Sequence, residues 1–314
     1  MKRILVILVI SLIAGTAFGQ DEINQFNLNY KAGNSKTPRE ILLYSDGTTD
    51  TVRFGDYNFF EVGAGAFLKN GFGAEFSFNK NNHLFDTIAG YAKYYTIGLA
   101  YKKVSMGNGP LFDNGFNTAL QFGAGYINGQ QVDQIERVKT TFVADSTISS
   151  SSIWNRTKTW NGFYFNGCLD IFRDNPYASS EYIFYSFSLK LSLKYPRVSS
   201  LSTTLDDTLT TNRWTTGDSV SIIRNIGFEV KPLILPINDK FGLSLITGLN
   251  YGNFNTFGVY DPGLSFTFGI GFDRFTKYGE FGRLTYTRPS RDNYVANGFG
   301  FGIELVGLVS ALRK

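Results

Sequence analysis

The stretch IFYSFSLKLSLK, Ile183 to Lys194, decides the fold. Ile183, Tyr185, Phe187, Leu189, Leu191 and Leu193 fall on one side of an extended chain, and Phe184, Ser186, Ser188, Lys190, Ser192 and Lys194 on the other. Successive strand side chains point to opposite faces, so this is one apolar and one mainly polar face at period two, not the 3.6-residue period of a helix. The pattern returns with Phe72, Ala74, Phe76 and Phe78 opposite Gly73, Glu75, Ser77 and Asn79. It returns again with Leu264, Phe266, Phe268, Ile270 and Phe272 opposite Ser265, Thr267, Gly269, Gly271 and Asp273. Each ladder runs for about ten residues, the length a tilted strand needs to cross a bilayer.

Working outward, the same period places strands near 57–68, 71–80, 91–105, 115–128, 160–172, 181–195, 222–235, 240–252, 262–273, 280–288 and 297–310. Links at 68–71, 173–180, 236–239 and 273–280 are short and carry Asn, Asp, Gly or Pro turn chemistry. The links between them are long, above all 129–159 and 196–221, which are rich in Ser and Thr and hold Trp154 and Trp214. Alternating short turns and long loops match a transmembrane antiparallel up-and-down β-barrel with long extracellular hairpins. If the last strand ends beside the short turns, parity requires an earlier strand, and QFNLNY at 25–30 supplies it. The expectation is about twelve strands, with ten or fourteen as alternatives.

Charge placement is the stronger sign. Glu61, Glu75, Lys102, Asp170, Lys190, Lys194, Glu229, Lys231, Asp273, Arg283 and Glu304 all fall opposite the apolar face. They are expected to face the lumen as a polar lattice of both signs, with Arg283 the first candidate partner for Glu304. Lys80, Lys93, Lys103 and Arg224 fall on the apolar side near strand ends, where long cations can reach headgroups. Tyr95, Tyr185, Tyr251 and Tyr286 are candidates for an interfacial girdle.

The chain begins MKRILVILVISLIAGTAFGQ, with Lys2 and Arg3, an apolar run from Ile4 to Ala14, and small Ala17 and Gly19 around Phe18. That is the pattern of a secretory signal peptide over 1–19, leaving 20–314 as a single barrel domain. Its 30 Phe, 18 Tyr and 34 Gly favour strands and tight turns. Nothing in a formal charge of +4 resembles the clustered basic face of a nucleic-acid binder.

The signal peptide, the segments FGAGY (122–126), FGIGF (268–272) and FGFGIEL (299–305), and the Ser/Thr-rich outer loops resemble the porin-like outer-membrane β-barrel proteins of Bacteroidota-type Gram-negative bacteria. The resemblance covers nearly all of 20–314 and implies a place in the outer membrane of the cell envelope. It also implies surrounding lipid and a barrel-assembly machinery as partners, and it assigns no substrate. Many such barrels end on an aromatic residue, whereas this chain ends Leu312, Arg313, Lys314.

The remaining chemistry is sparse. Gly298, Gly300 and Gly302 are spaced GxGxG with no helix pattern behind them, so the dinucleotide fingerprint fails. One histidine, His83, and one cysteine, Cys168, offer neither zinc-ligand spacing nor an internal disulfide, and no cofactor is expected. His83 lies near Ser77, which raises a barrel-embedded lipid-modifying enzyme as one alternative. The sequence motif His-x-Ser-Asn-Gly of barrel lipases is absent. The leading expectation is a passive channel or structural envelope component without a catalytic residue. A further alternative is a non-conducting partner of another envelope protein or a glycan, gripped by Trp154 and Trp214.

Overall fold

The computed structural model describes residues 23–35, 40–43, 48–52, 57–83, 91–105, 116–143, 146–173, 185–205, 208–211, 223–238, 241–252, 263–274, 279–289 and 297–306. The expected signal peptide, Trp214 and the last eight residues lie outside them, as do the side chains of His83 and Trp154. In chain order the strands are β1 (Ile23–Ser35), β2 (Glu40–Leu43), β3 (Thr48–Val52), β4 (Tyr57–Leu68), β5 (Phe72–His83) and β6 (Tyr91–Ser105). There follow β7 (Phe116–Val143), β8 (Ser146–Arg173), β9 (Ser186–Leu205), β10 (Thr208–Thr211) and β11 (Ile223–Lys231). The last are β12 (Ile234–Pro236), β13 (Phe241–Gly252), β14 (Gly263–Arg274), β15 (Gly279–Pro289) and β16 (Asn297–Glu304).

Twelve of these close on themselves in the order β1, β4, β5, β6, β7, β8, β9, β11, β13, β14, β15, β16, every neighbour antiparallel. The ring shuts where β16 pairs with β1, Asn27 opposite Glu304 through Asn34 opposite Asn297. Closure leaves the wall without an edge strand, so its backbone N–H and C=O groups find partners around the ring. Most strands of the ring run 11 to 15 residues. At about 3.3 Å per residue and a tilt near 40°, twelve residues span roughly 30 Å along the barrel axis.

The start of β1, the end of β16 and the β4–β5 turn share one end of the barrel, since Ile23 sits opposite Leu68 and Asn27 opposite Glu304. That turn needs its glycine. Gly71 has φ +91°, donates its N–H to the Leu68 carbonyl at 3.0 Å, and would drive a Cβ to 2.3 Å from the Lys102 carbonyl. The β11–β13 turn carries a one-residue offset between Val230, opposite Thr247, and Ile234, opposite Ser244. Pro232, which cannot donate to a ladder, sits within that offset.

At the other end the wall is uneven. β7 and β8 have 28 residues each and pair along their whole length, Phe116 opposite Arg173 through Val143 opposite Ser146. β6 stops pairing at Val132, so residues 133–143 rise beyond it by about 36 Å. β9 and β10 extend one flank of this protruding sheet. The other flank is β3 and β2, sent from the β1–β4 connection to pair with β7 at Ile135–Lys139. Segments 129–159 and 196–221, expected as long outer links that extend the strands into hairpins, are largely strand. Their two faces are alike in polarity, which erases the period-two signal while leaving the backbone free to pair.

The distribution of side chains is inverted relative to a soluble domain. Leu99 is 77% exposed, and Ile97, Phe122, Phe163, Leu245, Phe268, Ile270, Leu284, Phe299 and Phe301 also lie bare on the outer face. Rings on neighbouring strands meet there, Tyr286 with Phe299 at 5.0 Å and Phe60 with Phe78 at 5.8 Å between centroids. Lys93, Lys103 and Arg224 are exposed on the same side, as are Tyr95 and Tyr251. Tyr185 corrects the girdle expectation. It precedes β9, is buried, and donates its N–H to the Lys231 carbonyl at 2.8 Å. The last strand also ends earlier than 310, because the chain turns helical at Leu305 and Val306.

Candidate functional site

Among the described residues, two cavities inside the barrel lie one above the other. The one nearer the tight turns is about 250 Å³ and is bounded by Lys102, Asp170, Lys190, Glu229, Lys231, Glu280, Arg283 and Glu304. The other is about 380 Å³ and is bounded by Lys31, Glu61, Glu75, Asn166, Ser192, Lys194 and Arg283. Asn27, Asn29, Gln121 and Arg283 border both and form the neck between them. Ten of the eleven lattice residues named from the sequence therefore border a cavity, and the eleventh, Asp273, is bonded to Lys231.

Around the turn-side cavity the charges close on one another. Arg283 grips Glu229 with both terminal nitrogens, Nη1 to Oε2 at 3.0 Å and Nη2 to Oε1 at 2.8 Å. It also holds Glu280, Nε to Oε2 at 2.5 Å and Nη2 to Oε1 at 2.6 Å. Lys190 joins Glu229 at 2.6 Å. Lys231 bonds both Glu280 and Asp273, and Ser244 donates to the second oxygen of Asp273. The chain Lys190, Glu229, Arg283, Glu280, Lys231, Asp273 alternates in sign and balances three cations against three anions. It ties β9, β11, β14 and β15, and Arg283, with its planar fork of five donors, holds each of its two carboxylates through two hydrogen bonds.

Glu280 was not foreseen. In a regular strand residues three apart face opposite sides, so Glu280 and Arg283 should not meet. They do because the register slips at the start of β15: Phe272 is opposite Gly282, and Asp273 is opposite Glu280. The extra residue, Phe281, packs with Phe241 and Phe272, and the bulge turns Glu280 inward. Glu304 also has backbone partners. Its carboxylate accepts the N–H groups of Phe26 at 3.2 Å and Val306 at 3.0 Å, while Arg283 turns to Glu229 and Glu280.

Other bonds cross the lumen. Lys102 Nζ donates to Gln25 Oε1 at 3.0 Å, Asn166 Nδ2 to Glu75 Oε1 at 3.0 Å, and Lys194 Nζ to the Tyr94 hydroxyl at 3.3 Å. None of these pairs lies on adjacent strands. Cys168 donates its thiol to Asp170 at 3.3 Å. Toward the far end the bore is filled by aromatic and aliphatic groups. Trp160 and Ile127 are fully buried, and a Cβ on Gly129 would come within 2.5 Å of the Trp160 ring. Lys194 lies 4.8 Å from the centroid of the buried Tyr94. These inward aromatics escaped notice because Tyr94 and Trp160 have further aromatics among their near neighbours, so neither face stands out as polar.

His83 ends β5 opposite Tyr57, six residues from Ser77 and so about 20 Å along the strand. Ser77 instead shares a hydrogen bond with Thr96 at 2.7 Å. Trp154 pairs with Ile135 and Leu205 in the protruding sheet.

No family model and no curated protein matches the chain. Similar solved structures include the translocator domain of the autotransporter NalP from Neisseria meningitidis, at 13% identity and TM-score 0.41, covering 90% of this chain and 88% of that one. The β domain of the Bordetella autotransporter BrkA is similar at 10% identity and TM-score 0.35, covering 90% and 99% respectively. Likeness at this level carries no conclusion about what the chain does.

Proposed function

We propose that the chain is an integral outer-membrane protein, exported by its signal peptide. Its barrel is held shut by its own lumenal side chains, and it serves the envelope as a structural, surface-presenting component rather than a passive channel. Membrane residence is supported by the inverted wall. A belt of bare Leu, Ile and Phe would be very unfavourable in water, and the ring has no edge left unpaired in hydrocarbon. The surface role is supported by the protruding sheet of β7, β8 and β9.

The observation that carries the closed reading is the alternating ion chain through Arg283. A wide water-filled pore would leave such groups hydrated, yet Lys231 and Asp273 expose 4% and 2% of their side chains. The far end, stopped by Trp160 and Ile127, supports the same reading. Hydrolysis by a Ser77–His83 pair is disfavoured by their separation along β5.

The test is planar-bilayer recording of the purified, folded full chain, with heat-modifiable electrophoretic mobility as the check that the barrel has formed. The expected result is a heat-modifiable protein that gives no steady ionic current. Stable porin-like current steps would overturn the closed reading.

A further inference from the structure

The outer face of β5 to β9 changes character over three successive cross-strand rows. In the first, part of the bare belt, Phe76, Ile97, Tyr126, Phe163 and Tyr195 stand side by side. Two residues further from the β4–β5 turn the row is Phe78, Tyr95, Asn128, Asn161 and Arg197, and two further again it is Lys80, Lys93, Gln130, Thr159 and Ser200. The apolar belt therefore ends between the first row and the third. The wall does not end there, because β7, β8 and β9 run on into the protruding sheet. Gln130, Thr159, Ser199 and Ser200 thus form a polar shelf directly above the belt. Thr159 shares hydrogen bonds with Ser199 at 3.1 Å and Ser200 at 2.5 Å, and both serines are exposed.

Beside the shelf two cations meet. Lys80 and Lys93 are directly opposite on adjacent strands and share the outer face, where like charges repel. Every Asp or Glu whose side chain is described borders a lumenal cavity or, as Asp273, bonds a residue that does, so the wall separates these carboxylates from the pair. Among the described residues, Lys93 meets the Tyr91 ring, 5.4 Å from its centroid, and no ion pair or hydrogen bond holds either ammonium. A cation pair without counter-charge at the level of lipid headgroups calls for an anion from outside the protein. Phosphate fits, because its oxygens accept from both ammonium groups at once. The amide and hydroxyls of the shelf both donate and accept, which suits the hydroxyls of a sugar. Below, Ile97, Tyr126 and Phe163 are exposed as an apolar strip for acyl chains.

We infer that the outer face of β5 to β9 binds a phosphorylated glycolipid of the outer leaflet. Its phosphate bridges Lys80 and Lys93, its sugar lies on Gln130, Thr159, Ser199 and Ser200, and its chains run down the strip beneath. The inference rests on the outer-membrane reading, under which this face meets lipid rather than water.

Native mass spectrometry of the folded full chain in a polyoxyethylene detergent tests it by counting bound lipid. The probes are diphosphorylated lipid A, the same lipid without its phosphates, phosphatidylglycerol, which has a phosphate and no sugar, and inorganic phosphate. Lipid A should bind, and loss of its phosphates should weaken it about 25-fold, about fivefold for each of two cations near a membrane surface. Phosphatidylglycerol should bind at least about fivefold more weakly than lipid A, for want of hydrogen bonds to the shelf. Lys80→Met combined with Lys93→Met should cost lipid A the same factor of about 25 and leave the dephosphorylated lipid unchanged. Lys103→Met, on the same face near the other end of β6, should change neither. Equal binding of lipid A and its dephosphorylated form, equal binding of phosphatidylglycerol, competition by inorganic phosphate at matched concentration, or unaltered lipid A affinity in the double variant overturns the site. The comparison of lipids on the unaltered chain decides the matter even where the double variant does not fold. Flotation with phosphatidylcholine vesicles separates the two readings. A chain that fails to float overturns membrane residence whatever it binds, and one that floats without preferring lipid A overturns the site alone.

Discussion

Arg283→Met is the most informative single change. It keeps an aliphatic stem against the wall and deletes the guanidinium that joins the two halves of the ion chain. Three cations against three anions become two against three. Glu229 keeps Lys190 and Glu280 keeps Lys231, so neither carboxylate is stripped of its last partner. Breaking a buried pair costs about 3–5 kcal/mol, and the adjoining 250 Å³ cavity can admit water to the exposed carboxylate oxygens. The loss should therefore lie near the lower bound, about 3 kcal/mol, or roughly 150-fold in the unfolding equilibrium. With a denaturant slope of about 3 kcal/mol per molar urea, the midpoint should fall by about 1 M. The assay is urea unfolding of detergent-folded protein, followed by tryptophan fluorescence and checked by electrophoretic mobility. Arg283→Lys should recover less than half of the loss, since an ammonium with three donors cannot replace the four bonds by which Arg283 grips Glu229 and Glu280. A midpoint shift below about 0.3 M for Arg283→Met would mean the chain is hydrated and braces nothing, and the closed reading would lose its main support.

Three further outcomes follow from particular contacts. Cys168, the only cysteine, borders the turn-side cavity, so maleimide should label it slowly in folded protein and fast in Arg283→Met; mass spectrometry reads the difference. Gly129→Val would push a side chain into the Trp160 ring, so destabilisation of about 1–3 kcal/mol and a shifted tryptophan emission are expected. Leu99→Arg, on the bare outer face, should cost about 2–4 kcal/mol in lipid vesicles and much less in urea-denaturation reference peptides in water; an unchanged folding midpoint in vesicles would count against a lipid-facing belt.

Much of the architecture was legible because strands with one apolar and one polar face must alternate. Strand 57–68 coincides with β4, 91–105 with β6, and the segment at 25–30 lies within β1 and completes the ring of twelve. Where the strands leave the wall, both faces meet similar surroundings and the period disappears. That is why 129–159 and 196–221 could be expected as outward hairpins but not given strand bounds, and why β2 and β3 were hidden. The lumen was half legible. Parity gives the inward face of Arg283 and Glu229, but the partner across the bore depends on curvature and register that no local pattern records. Glu280 shows the limit most clearly: counting by twos turns it outward, and the one-residue bulge at Phe281 reverses it. Glu304 was foreseen as a charge needing compensation, and the compensation includes backbone N–H groups of Phe26 and Val306.

The hairpin of β2 and β3 has a mechanical consequence. It leaves the wall between β1 and β4, passes the position of β5 and β6 in the ring, and grips β7 at Ile135–Lys139, about 10 to 23 Å beyond the last β6 pair. A load pulling the tip of the β7–β8 hairpin away from the cell acts along the strands. It must slide β7 past β6 and β3, and β8 past β9, so the ladder bonds share the force together instead of parting one at a time. Sideways load reaches β1 and β4 through the hairpin and is spread over a large part of the ring. The protruding sheet is thus built as a guyed mast that spreads shear over the ring.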